Sequence, residues 1–372
     1  MSLRHKTEEV GGRVLKQVLF LLMLFPIALH SAKLASFPMG SIQGPNTRIQ
    51  QAEGIAFSPD RKYVAIASAS NGKVLLYSIL DCNSLKNDIA PVFILESPQN
   101  PLNFPHDVAF SPNGEHLAVA SRNTNEVVIY QKNKDDDFFS QIPFFIIKGS
   151  DASFVGMNAV AFHPSGKCLA VCDVLGHHVA LYYCDGDTYT SMPYQVITGP
   201  IDIFSRPDGI AFSSDGSLLA ITSHGVHSVL IYERIAETDD RYTEEPVEII
   251  KGEETGFHYT HSVSFHPRDD TLAVSSAAGR KTLSLFKKIS NTAPRYNHVP
   301  VQTFAIYNPE TIYLQQHAEE EGGVKGIAFS CDGTILGICA ADLADPAKSI
   351  VFYPVIPGVF SKHKSKLSGI IF

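Results

Sequence analysis

The stretch Asp107-Val108-Ala109-Phe110-Ser111-Pro112-Asn113-Gly114 decides the fold, because the chain contains five further copies of it. Each copy joins a short apolar strand that ends in Phe to a turn of the Ser-Pro-Asp-Gly type. The copies begin at Gly54, Asp107, Ala159, Gly209, Ser262 and Gly326, and the steps between them are 53, 52, 50, 53 and 64 residues. A period in this range is typical of supersecondary units that bury their apolar faces only against their neighbours.

Each copy continues into three more strands. The second strand alternates large and small residues, as in Leu117-Ala118-Val119-Ala120, which is typical of a sheet packed on both faces. The third strand ends in an aromatic residue, and the fourth follows a charged or Pro-rich loop. Four strands at this period, without helical segments, predict an all-β protein, a β-propeller of four-stranded blades. The alternative, a β-sandwich, does not repeat its sequence blade by blade.

The number of copies predicts six blades and leaves open a seventh blade assembled from both termini. The last copy reaches Tyr353 with little chain left, so its outer strand is expected to come from a terminus. The two candidates are Leu34-Ala35-Ser36-Phe37 and Leu367-Ser368-Gly369-Ile370-Ile371. Such closure removes an open sheet edge. Residues 33–372 are therefore expected to form a single propeller domain.

Residues 1–32 differ in character from the repeats. Basic residues precede an apolar run from Val18 to Leu29, and the small residues Ser31 and Ala32 follow it. This layout is typical of a secretory signal peptide. The run is shorter than the roughly 20 residues of a membrane-spanning helix and contains Pro26. We expect cleavage near Ala32 and a secreted or periplasmic protein; an uncleaved membrane anchor is the alternative.

Composition narrows the classes of partner. With 44% apolar residues the chain can bury a large core, and its net charge of −8 provides no basic patch for nucleic acid. We therefore expect a monomer that binds a protein or a small molecule, with the membrane as a partner only if the N-terminal segment stays uncleaved.

The six cysteines are expected to pack rather than pair. Cys172 and Cys339 occupy the small-residue position of the second strand, and Cys168 lies four residues from Cys172, about 13 Å along a strand and beyond the reach of a disulfide. A bridge from Cys184 to Cys82 or Cys331 stays open, because connectivity does not follow from sequence.

The stretch from Phe104 to Gly114, followed by Asn125-Glu126-Val127-Val128-Ile129-Tyr130, resembles the lactonase-type propellers. The repeat as a whole, over residues 50 to 355, is also similar to the gluconolactonase/regucalcin family and to WD-repeat propellers. WD-repeat proteins carry Trp-Asp after the third strand, whereas this chain has no Trp. These motifs specify the blade and do not specify an activity.

One residue in each repeat is expected to line the mouth of the central channel, because the loop that enters the innermost strand points there. These residues are Glu53, His106, Asn158, Asp208, His261 and Lys325. All six are polar, which makes this the best candidate site; solvation of a wet channel mouth is the competing explanation. His163 and His266 stand instead at the first position of the turn, where turn capping explains them better than ligation.

The residue types in this column suit polar chemistry. Glu53, Asn158 and Asp208 offer oxygen ligands for a divalent cation such as Ca²⁺, Mg²⁺ or Mn²⁺, and His106 or His261 could act as a base. Resemblance to the gluconolactonase/regucalcin family implies the same Glu, Asn and Asp set around a divalent ion, Ca, Mn, Mg or Zn. With such an ion, Asp208 or a neighbouring histidine would activate water, and Arg206 and Lys325 would hold an anionic substrate group.

Two functions therefore follow as alternatives. The first is an exported propeller that binds a ligand or protein at its channel mouth without catalysis, through exposed loop residues such as Phe204 and Tyr259. The second is a lactonase-like, metal-dependent hydrolase of a cyclic ester. Signatures of other hydrolases and of nucleotide-binding proteins are missing from the chain: it has no Gly-x-Ser-x-Gly elbow, no His-Glu-x-x-His pair and no phosphate-binding Gly-rich loop.

Overall fold

The six repeats form six separate antiparallel sheets in the computed structural model. The structure describes residues 32–79, 88–149, 154–236, 239–277, 282–305, 323–341 and 348–356. Within these ranges the regular structure is β-strand with short 3-10 turns and no α-helix. The predicted all-β propeller of four-stranded blades is confirmed.

Two short strands precede the first blade, β1 (Lys33–Leu34) and β2 (Gly40–Gln43). The strands of blades 1 to 3 are β3 (Ala52–Phe57), β4 (Tyr63–Ser68), β5 (Lys73–Ser78), β6 (Phe93–Leu95); β7 (Pro105–Phe110), β8 (His116–Ser121), β9 (Glu126–Gln131), β10 (Phe145–Lys148); and β11 (Met157–Phe162), β12 (Cys168–Asp173), β13 (His178–Asp185), β14 (Thr188–Tyr189), β15 (Gln195–Ile197). Those of blades 4 to 6 are β16 (Pro207–Phe212), β17 (Leu218–Ser223), β18 (Ser228–Ala236), β19 (Asp239–Tyr242), β20 (Glu248–Ile250); β21 (Thr260–Phe265), β22 (Thr271–Ser276), β23 (Thr282–Lys287), β24 (Gln302–Ala305); and β25 (Gly323–Phe329), β26 (Ile335–Ala341), β27 (Lys348–Ile356).

The innermost strands close a ring of six. Each of β3, β7, β11, β16 and β21 contacts the first strand of the next blade, and β25 of blade 6 contacts β3 of blade 1. The ring therefore closes without a seventh blade in the part of the chain that the structure describes.

The N-terminal segment supplies the outer strands of blade 6. Leu34 pairs with Val355, and Ile42 pairs with Ile350, so β1 and β2 both lie along β27. The expected segment Leu34–Phe37 thus contributes only Leu34, and the strand Gly40–Gln43 was not predicted. The C-terminal candidate, residues 367–371, and the predicted signal peptide as far as residue 31 lie outside the described residues. No helix in the described ranges is long and apolar enough to cross a membrane.

The core consists of apolar clusters, one between each pair of adjacent blades. Strand β8 shows how one strand serves two of them. Leu117 and Val119 pack toward blade 1, whereas Ala118 and Ala120 pack toward blade 3. This is the alternation predicted for a sheet packed on both faces, and every residue of β8 is buried.

The turns after the first strands satisfy their own polar groups. The Ser111 hydroxyl donates to Asn113 Oδ1 (2.7 Å) and accepts from the His116 N–H (2.9 Å). His163 and His266 occupy the same turn position, and Nδ1 of each accepts a hydrogen bond from the backbone N–H two residues later. Their Nε2 atoms contact the next blade: that of His163 lies 3.3 Å from the Gly216 carbonyl oxygen, and that of His266 lies 2.9 Å from the Gly333 carbonyl oxygen. Turn capping by the two histidines is confirmed.

The described cysteines are all free thiols, namely Cys168, Cys172, Cys184, Cys331 and Cys339. Cys168, Cys172 and Cys339 are completely buried, which confirms their packing role. The bridge considered between Cys184 and Cys331 is absent, and Cys82 lies outside the described residues.

Candidate functional site

The polar column singled out in the sequence meets at one end of the channel. Its members are the second residue of the first strand in blades 1 to 5 and the third residue of β25: Glu53, His106, Asn158, Asp208, His261 and Lys325. Contacts between blades join all six. We call these six residues the channel-mouth ring.

A backbone irregularity places each member of the ring. In every blade the register between the first and second strands shifts at this point, for example between Ala52 and Ile55 and between Pro207 and Ile210. Such bulges twist a strand and redirect a side chain. The residue two positions earlier also has a left-handed backbone in four blades, at Gln51 (φ 60°), Phe104 (58°), Arg206 (53°) and Tyr259 (53°).

Small residues and buried polar groups hold the innermost strands close together beside the ring. A Cβ added to Gly209 would lie 2.5 Å from the His261 carbonyl oxygen and 2.7 Å from Ser262 Cα. The Thr222 hydroxyl accepts from the Gly209 N–H (2.7 Å) and donates to the same His261 oxygen (3.1 Å), so it ties blade 4 to blade 5. Asp107 ties blade 2 to blade 3 in the same way, because its carboxylate accepts a hydrogen bond from the Val160 N–H (3.1 Å). Burial raises the pKa of Asp107 to about 7.

The Glu53 carboxylate lies between three cationic or imidazole groups. Its Oε1 accepts from Gln51 Nε2 (2.7 Å), whereas its buried Oε2 accepts no hydrogen bond from the described residues. That oxygen lies 3.7 Å from Nε2 of both His106 and His261, and 3.6 Å from Lys325 Nζ. The Glu53 side chain is only 2% exposed. A buried carboxylate oxygen without a donor is costly and calls for an explanation.

Asp208 has a fuller set of partners. Asn158 Nδ2 donates to its Oδ1, and its Oδ2 lies 3.3 Å from His224 Nδ1 and 3.5 Å from His261 Nε2. Burial favours the protonated acid, but electrostatic attraction to the His261 imidazole and the hydrogen bond from His224 outweigh burial, so the pKa of Asp208 lies below its usual range. Asp208 is therefore ionised at neutral pH.

The two ring histidines are buried and stacked. Their ring centroids lie 5.2 Å apart with an interplanar angle of 21°. Burial lowers the pKa of His106 and lowers that of His261 well below the usual value, against the opposing charges of Glu53 and Asp208 respectively. Neutral imidazoles offer nitrogen lone pairs, and such groups act as bases or as metal ligands.

The structure separates the two cations proposed for an anionic substrate group. Lys325 belongs to the ring, with its side chain 14% exposed. Arg206 lies on the exposed rim, where its backbone N–H donates to His177 Nδ1 (2.9 Å). Arg122, in the loop between β8 and β9, is a third cation at this end, with its guanidinium carbon 6.0 Å from the centre of the Phe104 ring.

Glu53, Asn158 and Asp208, the oxygen ligands proposed from the sequence, are not arranged as one compact ligand set. Asn158 uses its amide nitrogen on Asp208, and its Oδ1 has no partner within the described part of the chain. The His261 imidazole nitrogen lies near both carboxylates. The compact group of potential ligands is instead Glu53, His106 and His261, whose ligand atoms all lie within 4.8 Å of one another.

Sequence reasoning missed His224. In blades 1 to 4, where the loop between the second and third strands is described, this loop reaches the same end of the channel. In blade 4 it begins with His224, at the position that holds Ala69 in blade 1 and Arg122 in blade 2. The signal was available, since one column of the repeat changes from an apolar residue to a cation and to a histidine.

The two loop residues expected to be exposed behave differently. Phe204 is 1% exposed and packs in the cluster between blades 3 and 4, so that prediction is wrong. Its sequence neighbourhood is a loop, but the aromatic ring fills the space beside Gly199. Tyr259 is 37% exposed, as predicted, and lies against His224, His227 and His258 with ring centroids 4.6–5.0 Å away.

Comparison with known proteins agrees with this architecture. None of the curated proteins compared with the chain matches it significantly. The model of a family described as lactonase, 7-bladed β-propeller, matches residues 35–288, which is more than half of the chain and covers blades 1 to 4 and the first three strands of blade 5. The described residues form six blades rather than the seven in that description. The chain belongs to the lactonase, 7-bladed β-propeller family.

Proposed function

We propose that the protein hydrolyses a cyclic ester at the channel-mouth ring. The observation that carries the proposal is the convergence of ionisable side chains from five blades in a chain of the lactonase family. Glu53, His106, Asp208, His261 and Lys325 are 2%, 5%, 7%, 5% and 14% exposed. Burying charges in this way costs free energy that a purely structural channel would avoid, and such clusters mark functional sites.

The ring contains the groups that lactone opening requires. A base takes a proton from water while the water oxygen bonds to the carbonyl carbon, and Asp208 or an adjacent imidazole can serve as that base. Lys325 supplies positive charge for the oxygen that becomes negative. The ring C–O bond then breaks, and the proton passes to the departing alkoxide, giving a hydroxy acid.

The charge around the mouth favours a substrate that is itself an anion. Lys325, Arg122 and Arg206 come from three different blades and lie at this end of the channel. A sugar-acid lactone bearing a carboxylate or phosphate would pair with them. We therefore place acidic sugar lactones first among the substrates to be tested.

The test is a panel of γ- and δ-lactones, neutral and acidic, with and without added divalent cations, followed by proton release. We expect turnover by the wild type, and a loss of about 10²-fold or more in kcat for Asp208→Asn with the fold retained. His163→Ser, at the opposite end of the blade, is the control and should keep wild-type turnover. Absence of hydrolysis across the panel would reject the proposal.

A second candidate is ligand or partner binding without turnover. The half-exposed Tyr259, surrounded by His224, His227 and His258, favours it, because aromatic side chains with polar partners are common in binding surfaces. Saturable binding of a ligand that is lost in Tyr259→Ala, together with no hydrolysis of any lactone, would support this candidate instead.

We also propose that the chain is exported and acts as a monomer. The basic and apolar pattern of residues 1–32 supports export. Mass spectrometry of the mature protein should find an N-terminus near Ala32, and sizing by light scattering should find one chain; an intact residue 1 in a membrane fraction would favour the anchored alternative.

A further inference from the structure

Glu53, His106 and His261 form a compact ligand set at the channel mouth. The Glu53 Oε2 atom lies 3.7 Å from each histidine Nε2, and the three ligand atoms lie within 4.8 Å of one another. Around a tetrahedral ion with bonds of about 2.0–2.1 Å, neighbouring ligand atoms are about 3.3 Å apart. The two Glu53–histidine distances exceed this spacing by only about 0.4 Å, and the remaining pair of ligand atoms lies within 4.8 Å.

The unpartnered oxygen points to what is missing. Glu53 Oε2 is buried and accepts no hydrogen bond within the described residues. Lys325 Nζ, at 3.6 Å, balances part of its charge but is too distant to donate a hydrogen bond. A cation bonded directly to Oε2 would satisfy an atom that the protein leaves without a donor.

The histidines are prepared for ligation by their surroundings. Both lie on innermost strands, both are 5% exposed, and their rings are stacked, so their positions are set before any ion binds. Asp208 does not depend on His261, because Asn158 and His224 also contact it. His261 Nε2 is thus available to an ion while Asp208 keeps other partners.

We propose that Glu53, His106 and His261 bind one divalent transition-metal ion, Zn²⁺ or a chemically similar ion such as Co²⁺ or Mn²⁺. Two imidazole nitrogens and one carboxylate suit these ions, whereas Ca²⁺ and Mg²⁺ prefer oxygen ligands alone. The catalytic use of the ion rests on the proposed function: bound at this position, it would polarise a lactone carbonyl or a water molecule.

The test titrates the full chain, freed of metal by a chelator, with Co²⁺ and then with Zn²⁺. We expect one Co²⁺ per chain with the visible absorption of a low-coordinate site, and one Zn²⁺ by elemental analysis. Glu53→Gln, His106→Asn and His261→Asn should each weaken binding at least 100-fold while near-native circular dichroism is retained. His163→Ser, a buried histidine at the other end of the blade, should bind like the wild type.

Asp208→Asn separates this site from one built on Glu53, Asn158 and Asp208. Asp208→Asn should keep metal affinity within about tenfold, since Asp208 is not a ligand of the proposed site. Loss of binding in Asp208→Asn equal to that in Glu53→Gln would overturn the proposal, as would a wild type that binds no Co²⁺ or Zn²⁺ at 100-µM concentrations.

The two proposals fail in different ways. Stoichiometric metal bound through Glu53, His106 and His261, without hydrolysis of any lactone, would uphold the metal site and reject the hydrolase. Hydrolysis that chelators do not slow, by a protein that binds neither Co²⁺ nor Zn²⁺, would uphold the hydrolase and reject the metal site.

Discussion

The two ends of each blade differ in how they use the same repeat. At the end with the Ser-Pro-Asp-Gly turns, the blades resemble one another and the side chains at the first turn position are hydrogen-bonded. At the channel mouth, the equivalent position holds five residue types over six blades, with histidine in blades 2 and 5, and buried oxygens of Glu53 and Asn158 lack partners within the described residues. The uniform positions build the blades, and the varied positions form the candidate site.

The backbone shows the same contrast. In the turns, the left-handed position is glycine in four blades, at Gly114, Gly166, Gly216 and Gly333. At the channel mouth, side chains as large as Phe104 and Tyr259 adopt left-handed conformations. Non-glycine residues in this region cost free energy and cluster at functional sites. The left-handed backbone at the channel mouth therefore lowers the free energy of unfolding, and the turns and the blade cores compensate for it.

The largest effect is expected from closing the narrow gap between blades 4 and 5. Gly209→Ala would place a Cβ 2.5 Å from the His261 carbonyl oxygen, and we expect about 3 kcal/mol of destabilisation in urea unfolding. Gly166→Ala is the control at the turn end: its φ is 74° with nothing within 4 Å of the added Cβ, so it should cost only about 1 kcal/mol. Equal effects would show that the mouth is no more tightly packed than the turns.

Removing one hydroxyl should have the next largest effect. Thr222→Val keeps the shape but deprives the Gly209 N–H of its acceptor, and we expect a loss of about 2 kcal/mol in the free energy of unfolding. Thr222→Ser, which copies Ser275 in blade 5, should retain most of that stability. If the Val variant were as stable as the Ser variant, the hydrogen bond to the Gly209 N–H would not contribute to stability.

The pH dependence of stability should carry a contribution from the turns. Burial lowers the pKa of His163 and His266 below 6.5, so between the folded pKa and about 6.5 the unfolded chain binds more protons and stability falls as the pH falls. Replacing both by Ser, as in the other blades, should flatten the fall in melting temperature between pH 7.5 and 5.0. If the melting temperature fell as steeply in the double variant as in the wild type, groups other than His163 and His266 would cause the pH dependence.

The smallest effect is expected where a turn departs from the repeat. Arg61 holds the left-handed position of blade 1 (φ 62°) and pairs with Asp332 at 3.1 Å, with its side chain 63% exposed. Relief of backbone strain outweighs an exposed ion pair, so Arg61→Gly should stabilise the fold by about 0.5 kcal/mol. Arg61→Ala, which loses the pair and keeps the strain, should destabilise it; calorimetry of both variants decides.

Much of the architecture could be predicted because it is periodic. The blades, their fourth strands, the capping roles of Ser111 and His163, and the column from Glu53 to Lys325 all follow from comparing copies. Closure by Gly40–Gln43 could not be predicted, because this strand has no copy elsewhere and is defined only by pairing with β27. Burial of Phe204 was missed for a similar reason, since a loop position says nothing about the neighbouring blade.

The sequence by itself determined that equivalent residues of successive repeats lie around one axis, because a period of about fifty residues requires identical units to stack. Only the tertiary structure decided which of them touch. Glu53 meets His106 and His261, and Asp208 meets Asn158 and His224, because the close approach of innermost strands, the bulges and the loops of neighbouring blades set distances across the channel that no single repeat encodes.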